Sequence, residues 1–295
     1  MRKTCDNCHF ADWDVVRDGS DEFIRICTHP TYQPEEVEGD CEGWKCGKTL
    51  TPDESIYVID LETTGLDGQP NDSVVEVGIA EYNQWTGKVT PVYSAIVHVP
   101  DIREIDKAKI NPDGSRGCWV FNNTSLTIDE VEGSKNELSD VAREVRNLLR
   151  GKFVTCYNIS FDFAKFLDYS PWDLYRVSYP ARDIMDIATK CLRNMADRDG
   201  IKDKQLQKRL IDDWEKKPNG WVCSQDAYNG ICPDDPAQLN GKQTHRALDD
   251  AIMEGWILSR AIRYLALDKI FGFVSSAIKT MNGVYDALIK GESRP

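Results

Sequence analysis

The chain predicts an α/β fold, on three observations: a short β-rich apolar run at Ile56-Tyr57-Val58-Ile59, a pair of strands separated by a turn, and long segments of helical apolar spacing. The first run reads as a buried strand and ends in Asp60-Leu61-Glu62-Thr63-Thr64-Gly65. Chemistry placed just after a buried strand is typical of α/β sites. Ser73–Tyr82 and Val89–Val99 read as strands joined through Asn83-Gln84-Trp85-Thr86-Gly87, which predicts a hairpin.

Thr127 with Glu130 offers a capping box for a short helix. From Glu137 to Arg150 the apolar residues Leu138, Val141, Ala142, Val145, Leu148 and Leu149 recur at helical spacing, and Gly151 supplies the stop. Phe153–Tyr157 is a further short strand, and Phe161–Leu167 and Ile184–Leu192 read as helices. The charged stretch Arg193–Gly220 predicts one helix with solvated faces and a Pro-Asn-Gly end, an insertion in the domain. His245 to about Leu267 predicts a long amphipathic helix, and Lys269–Ile289 one more, a helical extension over about residues 268–290.

Residues 1–50 differ in texture, with Cys5, Cys8, Cys27, Cys41 and Cys46 among acidic and turn-forming residues. A boundary near Thr51-Pro52-Asp53 separates this cysteine-rich module from a main domain over residues 51–295. Cys5-Asp6-Asn7-Cys8 is a C-x-x-C knuckle; with Cys27 and Cys41 it supplies four thiolates for one tetrahedral, structural Zn²⁺. Cys46, His9 and His29 are alternative ligands, an iron–sulfur cluster is an alternative occupant, and unrelated buried thiols are the bland alternative. Cys118, Cys156, Cys191, Cys223 and Cys232 are scattered and read as core packing.

With 41% hydrophobic and 29% charged residues over 295 positions, the composition is that of a folded globular protein. No run approaches the roughly 18 apolar residues of a membrane span, and the start lacks an apolar signal core, so the expectation is an intracellular, cytoplasmic protein with reduced thiols. A net charge of −13 argues against coating of duplex DNA, which draws its affinity from Lys and Arg on phosphates. A polyanionic substrate would be gripped locally, through carboxylates that hold divalent cations.

Three polar clusters carry the chemistry. Side chains two apart on a strand share a face, so Asp60 and Glu62 can converge on one cation; alone, such a pair only starts a turn. In Tyr157-Asn158-Ile159-Ser160-Phe161-Asp162 the aspartate sits at a helix start, where the dipole favours an anion in any protein. In Thr244-His245-Arg246-Ala247-Leu248-Asp249-Asp250 a helical spacing of four sets His245 over Asp249, and Asp250 joins His245 only if the histidine precedes the helix proper.

Taken in this order, the clusters resemble the three exonuclease motifs of the DEDD superfamily, histidine type (DEDDh), the group of the proofreading subunit of bacterial replicative polymerases, RNase T and oligoribonuclease. The resemblance spans about Ile56 to Arg263, with support from Thr63-Thr64-Gly65, Glu76, Gly78, Asn158, Phe161, Ala247 and Ala251. It implies a ribonuclease H-like mixed β-sheet flanked by helices. Asp60 and Glu62 match the first motif, Asp162 the second, and His245 with Asp250, five residues on, the third. Ser73 in place of a basic residue, a long segment Asp101–Trp119 and the extra Arg193–Gly220 depart from the pattern.

The implied activity is 3′–5′ exonucleolytic hydrolysis of single-stranded nucleic acid, DNA before RNA, releasing nucleoside 5′-monophosphates. Asp60, Glu62, Asp162 and Asp250 suit two Mg²⁺ or Mn²⁺, hard cations that prefer oxygen ligands, and His245 is the general base. Thr63, Gly65 and Leu66 would lie along the terminal nucleoside, with Asn158 and Phe161 bracing the site. An RNA-directed exoribonuclease, and a catalytically weak nucleic-acid or partner-binding adaptor, are the rival readings. A polymerase or other replication protein is a candidate partner, and the cysteine module suggests a phage or mobile-element origin.

Overall fold

The computed structural model describes residues 50–51, 53–111, 114–240 and 242–267, together with the backbone of Ala11–Val15 and Phe23–Cys27. Those two segments, β1 and β2, form an antiparallel hairpin within the region where the sequence shows little periodicity. Cys27 closes β2; Cys5, Cys8, Cys41 and Cys46 lie outside the described residues, as does the helix expected over Lys269–Ile289.

The main sheet contains β3 (Ser55–Thr63), β4 (Val74–Asn83), β5 (Val89–Ile96), β6 (Phe153–Thr155) and β7 (Tyr179–Pro180), in the order β5-β4-β3-β6-β7. β3, β4 and β5 are antiparallel, whereas β3, β6 and β7 run parallel. This is a mixed five-stranded sheet of the ribonuclease H-like kind, with β3 at its centre. The β4–β5 turn follows from Asn83, whose side chain accepts the Thr86 N–H at 2.9 Å, and from Gly87 at a φ of 71°.

After β5 come α1 (Ile102–Ala108), α2 (Trp119–Asn123), α3 (Ile128–Gly133) and α4 (Leu138–Leu148). The α3 start is the expected capping box: the Glu130 N–H donates to the Thr127 hydroxyl at 3.2 Å and the Thr127 N–H to the Glu130 carboxylate at 2.8 Å. α5 (Ile159–Asp162) runs into a π-helical turn at Phe163–Leu167, so the expected helix over Phe161–Leu167 starts two residues early and changes its winding. α6 (Ile184–Ala196), α7 (Lys204–Lys216) and α8 (Ser224–Ile231) follow, and residues 247–267 form α9.

The strand alternation of β3 sorts the core. Ile56 and Val58 face a cluster built with α6, α7, α8 and α9, including Leu192, Leu206, Leu210, Tyr228, Met253 and Ile257. Tyr57, Ile59 and Leu61 face the opposite cluster, with Val141, Val145, Leu149, Phe166 and Trp172. By the same alternation Asp60 and Glu62 belong to the α9 side. A third cluster, with Val75, Ile102, Val120 and Val131, joins α1, α2 and α3 to the sheet edge.

Arg193–Gly220 is not one solvated helix. It holds the end of α6 and all of α7, and Ile201, Leu206 and Leu210 are buried beside Leu192 and Tyr228. Its charges occupy only the outer face, where Arg209 pairs with Asp226. Of the scattered cysteines, Cys118, Cys156, Cys191 and Cys232 are buried as expected, but Cys223 is exposed, immediately before α8.

Candidate active site

Asp60 pairs with Gly78 and Glu62 with Glu76 across the β3–β4 ladder, and a register shift after Glu62 releases the chain into the Thr64–Ser73 loop. That loop is stapled from within. Buried Asp72 accepts the Thr64 hydroxyl at 3.1 Å, the Asp67 N–H at 2.7 Å and Lys109 Nζ at 2.5 Å. A Cβ at Gly65 would meet the end of the Lys109 side chain and the Asp72 carboxylate, so their ion pair would have to shift. The loop therefore holds Thr63, Gly65 and exposed Leu66 at the C-terminal end of β3.

The second cluster leaves β6, the parallel neighbour of β3, and turns into α5. Asp183 fixes that turn: its carboxylate accepts the Ile159 N–H at 2.9 Å and also caps α6 through the Asp186 N–H at 3.2 Å. Asp162 is buried at the last position of α5, hydrogen-bonded by the Cys156 thiol and by backbone, and faces the β3 carboxylates.

The third cluster gives Asp249 and Asp250 different surroundings. His245 precedes α9 in the left-handed region, at a φ of 52°, so helical spacing does not apply to it. Its Nδ1 lies 3.8 Å from Asp250 Oδ2, while Asp249 instead accepts the Thr244 hydroxyl at 3.0 Å. The start of α9 is bolted to the sheet by buried Glu76, which accepts the Arg246 guanidinium at 2.7 Å and the Ala247 N–H at 3.1 Å. Gly78 makes room, because a Cβ there would collide with the Ala247 carbonyl and Leu248 nitrogen. Asp60, directly across the ladder from Gly78, thus lies beside the first turn of α9.

All ten residues singled out for catalysis and substrate binding line one cleft of about 480 Å³: Asp60, Glu62, Thr63, Gly65, Leu66, Asn158, Phe161, Asp162, His245 and Asp250. Ligand atoms of Glu62, His245 and Asp250 lie within 4.8 Å of one another. Burial, then the carboxylates of Glu254, Asp250, Glu62 and Asp162, push Asp60 well above the usual carboxylate range. Burial, then Asp250, Glu76 and Asp162, push Glu62 up to about 9. Asp162 and Asp250 are each raised to about 7 by burial, against hydrogen bonds that favour their charged forms. Partial burial lowers the pKa of His245 and favours its neutral form.

The donor set fits hard divalent cations. It is oxygen-rich, and Asp60 Oδ2 and Asp250 Oδ1 are buried with no hydrogen-bond partner among the described residues. Cations would offset the burial and the repulsion that otherwise keep these carboxyls protonated.

Sequence reasoning missed several cleft residues. Gln243 donates to Asp250 Oδ2 at 2.6 Å and is itself held by Ser224 at 3.0 Å. Exposed Trp119 stands edge-on to His245, ring centroids 5.0 Å apart, in the segment noted only as long. Glu254, one turn beyond Asp250, also lines the cleft, and a helical count from Asp250 would have found it. Nothing local in the sequence points to Trp119 or Ser224.

No protein-family model matches the sequence, and no curated protein matches it. Among solved structures, the chain is similar to cell-death related nuclease 4 at 15% identity and a TM-score of 0.38, over 72% of this chain and 64% of that one. It is similar to E. coli Exonuclease I in complex with a dA16 oligonucleotide at 16% identity and a TM-score of 0.43, over 74% of this chain and 43% of that one. It is also similar to the nuclease domain of 3'hExo, a DEDDh family member bound to rAMP, at 17% identity and a TM-score of 0.40, over 71% of this chain and 92% of that one. The chain thus spans less than two thirds of the length of the first two.

Proposed function

We propose that the chain is a 3′–5′ exonuclease of the DEDDh kind, which hydrolyses single-stranded nucleic acid, DNA in preference to RNA, from a free 3′ end. The observation that carries this reading is the convergence of three distant segments on one cleft, with His245 released from the helix so that it faces Asp250. Asp60, Glu62, Asp162 and Asp250 would hold two Mg²⁺ or Mn²⁺, which when bound stabilise charge on the attacking and departing oxygens of the phosphodiester.

The protein's own groups do the rest. His245, favoured in its neutral form, accepts the proton of the attacking water at a ring nitrogen, and Asp250 beside it stabilises the resulting imidazolium. The stapled loop sets Thr63, Gly65 and Leu66 along the terminal nucleoside, and Phe161 and Asn158 close the other side. Orientation by rigid elements lowers the entropic part of the barrier. The product is a nucleoside 5′-monophosphate.

The test is incubation with 3′-labelled single-stranded DNA and RNA, with Mg²⁺, Mn²⁺ or chelator. Mononucleotide release in the presence of metal, absent in chelator and in Asp60→Ala and Asp162→Ala, is expected. Either variant cleaving at near wild-type rate would overturn the metal-site assignment.

A further inference from the structure

Glu254 belongs to none of the three motifs. It sits on α9 four residues after Asp250, so both project from one face of the helix, toward β3. Its neighbours on the helix, Met253, Ile257, Leu258 and Ala261, are buried apolar residues, and Glu254 itself is only 2% exposed. A carboxylate in such a place normally meets a cation or a full set of donors. Glu254 receives a hydrogen bond from the backbone of Tyr157, but its Oε2 is buried with no partner among the described residues.

Among the described residues, no Lys or Arg lines the cleft to neutralise it. The guanidinium of Arg246, whose charge reaches Glu62, is engaged by Glu76 at 2.7 Å. What Glu254 does face are the carboxylates of Asp60, Asp162 and Asp250, close enough that the charges act on one another. Folding alone gains nothing from a fifth acid in this cluster, since glutamine would fill the same volume without the repulsion.

We propose that Glu254 is a fifth carboxylate of the metal centre, helping to hold the divalent cations that Asp60, Asp162 and Asp250 ligate. This rests on the metal-site reading above. Glu254 is a positioning residue for the cations rather than a group that touches the scissile bond, and its removal acts through cation affinity.

The experiment compares the full chain with Glu254→Gln, using Mn²⁺ alone as the probe, by calorimetric titration and by Tm in chelator and in saturating Mn²⁺. The variant should bind Mn²⁺ at least about 10-fold more weakly, the scale seen when groups supporting a metal site are removed. Its Tm in chelator should be level or higher, and its Tm gain on adding Mn²⁺ smaller. Unchanged Mn²⁺ affinity overturns the proposal, as does a Tm in chelator that falls while affinity holds, the signature of a packing role.

Asp60→Asn separates the two readings. If it loses Mn²⁺ while Glu254→Gln binds as wild type, the exonuclease site stands and the fifth carboxylate falls. A wild-type chain that binds no Mn²⁺ removes both. Should Glu254→Gln not fold, Glu254→Asp keeps the charge but withdraws it by one methylene, and weaker Mn²⁺ binding is again expected, wild-type binding being the contrary result.

Discussion

At Asp249 the carboxylate accepts the Thr244 hydroxyl at the half-buried edge of α9, whereas at Asp250 it is buried against His245 and Gln243. Two adjacent aspartates therefore have unrelated surroundings. Asp250→Asn should abolish cleavage, because the amide brings a donor to where a cation ligand is required. Asp249→Asn should keep the rate and cost about 0.5–1.5 kcal/mol at most, the worth of one hydrogen bond. Steady-state cleavage and chemical denaturation measure the two; the reverse ranking would place the third motif in the wrong register. This register was open in the helical count, because a left-handed residue ahead of a helix changes which side chains meet.

The carboxylates arrive from separate elements, Asp60 and Glu62 from β3, Asp162 from α5 and Asp250 from α9, so their repulsion acts between packed pieces of the fold. Folded pKa values of about 7 for Asp162 and Asp250 and about 9 for Glu62 exceed the unfolded values near 4. The folded state then binds more protons across that interval. Its extra stability is fully present below about pH 4 and is lost as pH rises through 7 and toward 9. In chelator, Tm should fall from pH 5 to pH 8, saturating Mn²⁺ should restore more at pH 8 than at pH 5, and Asp162→Asn should flatten the slope. A Tm that rises over this range in chelator would contradict the repulsion.

For the whole molecule, a net charge of −13 disfavours gripping a polyanion through diffuse Lys and Arg contacts. Among the described residues no helix is long and apolar enough to cross a membrane. We propose that the amino-terminal module is a separate zinc unit with Cys5, Cys8, Cys27 and Cys41 as ligands, serving recognition of nucleic acid or of a partner such as a polymerase. One equivalent of zinc should copurify and survive dialysis that strips Mg²⁺, since thiolates select the softer ion. Deletion of residues before Thr51 should leave a folded core with raised KM and little change in kcat. Elemental analysis that finds neither zinc nor iron in reduced protein would return these cysteines to ordinary packing.

Period-two alternation in β3, the Thr127–Glu130 box, the Asn83–Gly87 turn and the apolar spacing of α4 and α9 are short-range effects, set by residues that touch neighbours in the chain. The sequence by itself therefore determined the main elements, placed Asp60 and Glu62 on one face, and through motif order supplied Asp162, His245 and Asp250. Only the tertiary structure decided which face of α9 meets the sheet. Glu76 holds the Ala247 N–H across a separation of 171 residues, and Gly78 leaves space for that helix and no other side chain. The same long-range packing buried Leu206 and Leu210 of a charged segment, brought Trp119 to His245, and enclosed Glu254 with four other acids. Such meetings follow from the closing of the core around β3, which depends on the summed burial of many side chains and leaves no mark within any one short stretch of sequence.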